Sequence, residues 1–238
     1  MATATNKQRL VEQVFAHLKK QYDPAEPEKR PVLEQLIYAL CREGATGDAA
    51  DLAFQQLRER FFDWNEVRVS STHELAEALV ALPDAERRAE RLIGLLQDIF
   101  ERTFKFDLED IDKKGIKAAA KELAKYEQTS DYAVAWVIQQ ALGGHAMPVD
   151  TPTLRVLRRL GIVDTDTDNL EMIRGSLEHL VPKAKGPAFL EMISLVARDV
   201  CWEDGPNCSA CSLKNDCPVG QERAGQDAAP RSGRIKPR

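Results

Sequence analysis

Four cysteines stand within seventeen residues near the end of this 238-residue chain. Cys201, Cys208, Cys211 and Cys217 lie in the text CWEDGPNCSACSLKNDC, spaced C-x6-C-x2-C-x5-C. Any fold that brings four thiolates to one centre must wrap the chain around that centre. Thiolates donate strongly to soft metals, and four of them can close a tetrahedral zinc site or hold the four irons of a cubane cluster. The C-x2-C pair reaches a centre from a single turn, and the longer intervals cover its other sides. Structural zinc usually takes two short pairs, and here only one pair is short. Both metals stay open on spacing alone, with [4Fe–4S] favoured. In a reducing compartment such a cluster is a metal site rather than a disulfide framework. Cys41 differs: in VLEQLIYALC it shares a helical face with Val32, Leu33, Leu36, Ile37 and Leu40, and reads as a buried core thiol.

The rest of the chain reads as all-α. Pro31 opens a helix, a position where its missing N–H costs little. Asp48 is expected to cap a second helix carrying Ala50, Phe54, Leu57 and Phe61 on one face. Ser71 with Glu74 forms a capping box. Further helices are expected from Pro83 through Phe100, over 116–126, from Ser130 to Gly143 and Gly144, from Thr151-Pro152, and over 167–181 and 186–201. The only strand-like run, VRVSS at 67–71, is too short to matter.

Charge and targeting set further bounds. The net charge is −5, and the tail 221–238 is basic through Arg223, Arg231, Arg234, Lys236 and Arg238, so the body is more acidic still. Phosphate attraction needs basic surface. The candidates to supply it are Arg155, Arg158 and Arg159 on one helix, Arg87, Arg88 and Arg91 on another, and Lys183, Lys185 and Lys214. The N-terminus lacks a basic start followed by an apolar stretch, and no run of about 18 uncharged apolar residues occurs. An intracellular, cytoplasmic protein without membrane contact is expected.

Two segments besides the cysteines carry chemistry. PVDTPTLRVLRRLGIVD at 148–164 places Asp150 directly before a helix. There the carboxylate can cap the helix or act on a ligand. YEQTSDYAVAWVI at 126–138 joins two helices. The cysteine spacing, read with these segments, resembles the endonuclease III branch of the helix-hairpin-helix (HhH-GPD) DNA glycosylase superfamily, from about Pro31 to Pro218.

The resemblance implies a two-lobed helical fold. A helix within 1–24 packs on an iron–sulfur lobe, 25–144 form a six-helix lobe with a degenerate hairpin, 145–220 form the iron–sulfur lobe, and 221–238 are a disordered basic tail. It also implies a [4Fe–4S] cluster on the four cysteines, a monomer acting on double-stranded DNA, and base removal with Asp150 as the catalytic carboxylate. In the family a glycine-rich hairpin turn offers backbone N–H groups to a DNA phosphate. Gln128 and Ser130 stand at the glycine positions, and Arg155 is a further candidate DNA contact. Tyr132, eighteen residues before Asp150, stands where bifunctional members place the lysine that forms a Schiff base. Gly44 matches the glutamine that fills the space left by a flipped base.

These departures define two function classes. One is a monofunctional glycosylase that uses Asp150 and water, with Tyr132 against the base or sugar. The other keeps the fold and the cluster as a DNA- or protein-binding module without the chemistry.

Overall fold

A computed structural model describes residues 4–228. Among them every regular element is helical and no strand forms. In chain order the α-helices are α1 (Ala4–Leu18), α2 (Val32–Arg42), α3 (Gly47–Arg60), α4 (Trp64–Val69), α5 (Thr72–Ala78), α6 (Ala85–Thr103), α7 (Ile116–Leu123), α8 (Asp131–Gln140), α9 (Thr151–Arg159), α10 (Leu170–Leu180), α11 (Gly186–Asp199) and α12 (Pro218–Ala228). Short 3-10 turns cover Glu109–Lys114 and Lys183–Lys185.

Local chemistry sets most helix starts. The Ser71 hydroxyl accepts the Glu74 N–H at 3.2 Å, and the Ser130 hydroxyl accepts that of Ala133 at 3.2 Å. Pro31 sits at the N-cap of α2. One expected cap moves: Thr46, in an extended conformation, accepts the Ala49 N–H and starts α3, while Asp48 lies inside the first turn. An acidic residue there still meets the positive end of the helix dipole. The strand-like VRVSS falls at the end of α4, because Asp63 caps that helix through the Glu66 N–H at 2.8 Å and turns Val67 into the core. At the end of α8, Gly143 takes a positive φ, and a Cβ on Gly144 would overlap the Ile138 side chain, so the exit needs both glycines. The first part of the segment read as a basic tail, 221–228, is helical within α12; residues 229–238 lie outside the described residues.

The chain divides into two compact units. One comprises 25–151 and 182–190. Its axis is α2, in which every residue but Glu34 is buried. A helix that is apolar nearly all round belongs inside. Leu57 of α3, Leu75 of α5, Leu92, Leu95, Leu96 and Ile99 of α6, and Val137 of α8 complete the cluster. Gln35, the buried polar residue midway along α2, is satisfied at both ends: it accepts the Trp136 indole N–H at 2.9 Å and donates to the Glu28 carbonyl at 2.8 Å.

The described residues of the other unit fall in 4–24, 152–181 and 191–228. Val14 and Leu18 of α1, Leu157 of α9, Leu177 of α10 and Ile193 of α11 are buried there. Polar ties fasten α1: Lys7 to Asp164 at 2.7 Å, His17 to Asp216 at 2.9 Å, and the Tyr22 hydroxyl, beyond the helix, to Asp199 at 3.1 Å.

Leu36, fully buried on α2, gives the test of this core. Leu36→Ala is expected to cost about 2–5 kcal/mol, from lost transfer energy and the cavity left behind. Urea denaturation with an unchanged slope and a lowered midpoint would show it.

Candidate functional site

Asp150 is buried, directly before α9, and its Oδ2 accepts the Gly44 N–H at 2.9 Å. Gly44 follows α2 by two residues and adopts φ +70, the left-handed region. The turn it makes aims its amide at the carboxylate. The position matched to a stack-filling glutamine therefore holds a backbone donor to Asp150. Neither neighbour replaces the missing side chain. Arg42 is buried with its guanidinium on the Ala45 carbonyl, and the Glu43 carboxylate is bound elsewhere.

Arg88 fastens this turn from α6. Its Nη1 donates to the carbonyls of Leu40 and Cys41, its Nη2 to that of Glu43 at 2.6 Å, and its Nε to that of Pro83 at 2.8 Å. The last carbonyls of a helix have no partner within the helix, and a guanidinium fork supplies several donors at once. Burial pulls the Arg88 pKa down, since it opposes charge, while Glu43 and Asp84 work the other way. Arg88 was a sequence candidate for DNA affinity; its guanidinium instead faces inward. The signal was present in the spacing, because Arg88 extends the stripe of Leu92, Leu95, Leu96 and Ile99 that faces the core.

The hairpin lies between α7 and α8. Its turn closes with the Thr129 N–H on the Tyr126 carbonyl at 3.0 Å. Gln128 and Ser130 line one open cavity of about 400 Å³ with Arg87, Glu90, Arg91, Glu127 and Thr129. The Thr129 hydroxyl is buried there without a hydrogen-bond partner. The Gln128 side chain packs where Gly94 leaves room, since a Cβ on Gly94 would stand 3.1 Å from Gln128 Cγ. The Ser130 hydroxyl donates to Glu43 Oε2 at 3.0 Å, and Arg91 Nη2 reaches the same oxygen at 3.1 Å and the Gln128 carbonyl at 3.4 Å. Glu43 thus ties the end of α2 to the start of α8.

Tyr132, in the first turn of α8, is buried and stacks on Trp136, with ring centroids 5.9 Å apart and planes inclined by 27°. Trp136 in turn packs on Tyr38 at 5.6 Å. The Tyr38 hydroxyl donates to Asp51 at 2.7 Å, and burial pushes its pKa far up.

The four clustered cysteines line a second, narrow cavity with Arg159, Val200, Pro206, Lys214, Val219 and Gly220. Cys201 follows α11, Cys208 and Cys211 occupy one turn, and Cys217 precedes α12. Burial pushes the Cys211 and Cys217 thiols up, and the other cysteines add to the shift. The Leu213 N–H at Cys211, and those of Val219 and Gly220 at Cys217, act in the opposite sense. Among the described residues no group of three or more His, Cys, Asp or Glu side chains is arranged to hold a metal ion. Cys41 is buried alone in the core, its thiol pushed up to about 12 by desolvation.

Arg155 lies beside the first of the clustered cysteines. Its Nε donates to the Cys201 carbonyl at 3.1 Å. Arg158 bonds the Thr167 carbonyl at 2.7 Å and Asp168 at 2.9 Å, and Arg159 grips the carbonyls of Trp202 and Glu203 at 2.6 and 2.8 Å. The arginines of α9 therefore fasten loops of their own unit.

Comparison with known proteins follows the same outline. No family model matches the chain. The DNA glycosylase/AP lyase ROS1 of Arabidopsis thaliana is 26% identical over 172 residues, which is 65% of this chain but 12% of that much longer protein. A solved endonuclease III trapped as a covalent intermediate with DNA is 20% identical, with TM-score 0.71, covering 94% of this chain and 100% of that one. A thermostable thymine-DNA glycosylase is also 20% identical, with TM-score 0.64, covering 92% and 100%. The 3-methyladenine DNA glycosylase of H. pylori is 17% identical, with TM-score 0.58, covering 79% and 95%.

Gly44 supplies a prediction. A Cβ there would meet only Arg88 Nη2, at 3.8 Å, so space is not the obstacle and the left-handed φ is. Gly44→Ala is expected to lower stability by about 1–2 kcal/mol, and Gly44→Asn, which tolerates that region better, to cost less. Thermal and urea unfolding of the pair would check the order.

Proposed function

From a chain with the helical fold of endonuclease III and the HhH-GPD glycosylases, we propose a DNA glycosylase that removes a damaged or mismatched base from duplex DNA by hydrolysis. The observation that carries the reading is Asp150: a buried carboxylate at the start of α9, held by the Gly44 N–H. A carboxylate fixed in place pays little reorganisation when positive charge develops on the sugar, and it can also orient the attacking water. The Gly44 N–H is one group that keeps it in position.

Tyr132 decides the second half of the chemistry. A phenol has no amine to condense with the opened sugar, so no Schiff base forms through this position. Base loss then leaves an intact strand with an abasic site. Tyr132 is held rigid by its stacking on Trp136, and the reading assigns it a place beside the base or sugar. Gln128 and Ser130, with Arg87 at the same cavity, are the groups proposed to meet a DNA phosphate. The protein is proposed to act as a monomer inside the cell; no helix among the described residues is long and apolar enough to cross a membrane.

The cysteine site fits a [4Fe–4S] cluster better than zinc. The four irons each take one thiolate, so the ligands stand further apart than around a single ion. Four thiols lining one cavity are the donor set that such a cluster takes. Val200, Pro206 and Val219 in the cavity wall, and the N–H groups directed at sulfur, support it too. When bound, the cluster cross-links the segment 201–217 and fixes the loops between its ligands. Arg155 serves this segment through the Cys201 carbonyl.

One observation favours the second reading, a binding module without catalysis. Glu43 already holds Ser130 and Arg91, and Asp131 opens α8, so carboxylates stand beside the turn that would receive a phosphate. Incubation with a panel of damaged and mismatched duplexes, followed by alkali, separates the two. The glycosylase reading expects alkali-dependent cleavage of at least one duplex, reduced about 100-fold or more in Asp150→Asn. It expects no nick without alkali and no adduct trapped by borohydride. Absence of product on every duplex would replace the enzyme with the module.

A further inference from the structure

We propose that Arg159 is a positioning residue that sets both the reduction potential and the lability of the iron–sulfur cluster. The inference rests on the cluster reading above and goes beyond it by assigning the control to one side chain of α9.

Arg159 touches both ends of the cysteine segment. Its Nη1 donates to Cys201 Sγ at 3.4 Å and to the Trp202 carbonyl at 2.6 Å, and its Nη2 donates to the Glu203 carbonyl at 2.8 Å. Its own carbonyl lies 3.2 Å from Cys217 Sγ. The first and last cysteines are 16 positions apart in the chain and meet at this one residue. Other groups leave the role to Arg159. Arg155 reaches the Cys201 carbonyl and stands 3.9 Å from Glu203, so part of its charge is offset. Arg158 points to Thr167 and Asp168. Lys214 also lines the cavity, without a bond to a cysteine sulfur among those described.

Two effects follow from this geometry. Adding an electron to a cluster adds negative charge, part of which resides on the ligand sulfurs. A guanidinium donating to one of them stabilises the reduced form and raises the potential. The same fork holds the 201–203 turn closed beside the first ligand, so its loss lets that turn open to water, oxygen and chelators. Charge sets the first effect and the planar fork the second, and lysine keeps only the charge.

The test uses the full chain, reconstituted anaerobically with iron and sulfide, as wild type, Arg159→Lys, Arg159→Gln and, as a control, Arg158→Gln. Iron and sulfide content, voltammetric potential and the rate at which a chelator bleaches the visible absorbance are measured. Arg159→Gln is expected to load the cluster, to shift the potential to more negative values, and to bleach about tenfold faster, the scale of one lost charge-assisted hydrogen bond. Arg159→Lys is expected to keep the potential closer to wild type and still bleach faster; Arg158→Gln is expected to change neither. A loaded Arg159→Gln with wild-type potential and bleaching overturns the inference and leaves the cluster reading intact. If Arg159→Gln does not fold, Arg159→Lys carries the test, and a wild-type bleaching rate in it overturns the inference. Wild type that takes up no iron overturns the cluster reading and this inference with it.

Discussion

Helix α2 ends inside the protein, and its last carbonyls must find donors there. A buried polar group without a partner costs about 1–3 kcal/mol, and three carbonyls left open would approach the whole stability of a small domain. Arg88 meets that demand with one guanidinium. Once the end of α2 is fixed, its next residues are fixed too. Glu43 reaches the start of α8, and Gly44 turns its N–H onto Asp150. The candidate catalytic carboxylate and the candidate phosphate-binding turn are therefore both positioned from one buried helix end.

The same demand explains how an acidic protein spends its arginines. Arg42, Arg88, Arg155, Arg158 and Arg159 all donate to backbone carbonyls. A guanidinium can neutralise several carbonyls where a lysine ammonium would meet one or two, which favours arginine at loop closures. The cost falls on the electrostatic surface, since charge committed to loops contributes less to attracting phosphate. The proposed duplex binding would then depend on local groups such as the hairpin cavity rather than on a broad basic face.

In the other unit, backbone geometry brings the cysteines to one cavity. Gly205 takes a positive φ within the six-residue loop, and the Asn207 N–H bonds the Val200 carbonyl at 2.8 Å, closing that loop on itself. Gly220 approaches the Lys214 backbone so closely that a Cβ would stand 2.8 Å from its carbonyl oxygen. Glycine is needed there for close approach. His17 on α1 holds Asp216 beside the last cysteine.

The sequence by itself determined the all-helical class, because apolar residues recur at helical spacing and never alternate for long. It determined the starts at Ser71 and Ser130, where a short hydroxyl precedes a helical run, and the burial of Cys41 inside an apolar stripe. It also marked the four cysteines and Asp150 as the candidates for chemistry. Only the tertiary structure decided who partners whom. Thr46 outcompetes Asp48 as a cap because its backbone is extended where the chain enters α3. Arg88 serves carbonyls 45 to 48 positions away, and Gly44 meets a carboxylate 106 positions on. The physical reason is range: periodicity reports which face a residue shares with neighbours a turn away. Hydrogen bonds between distant segments depend on how whole helices pack.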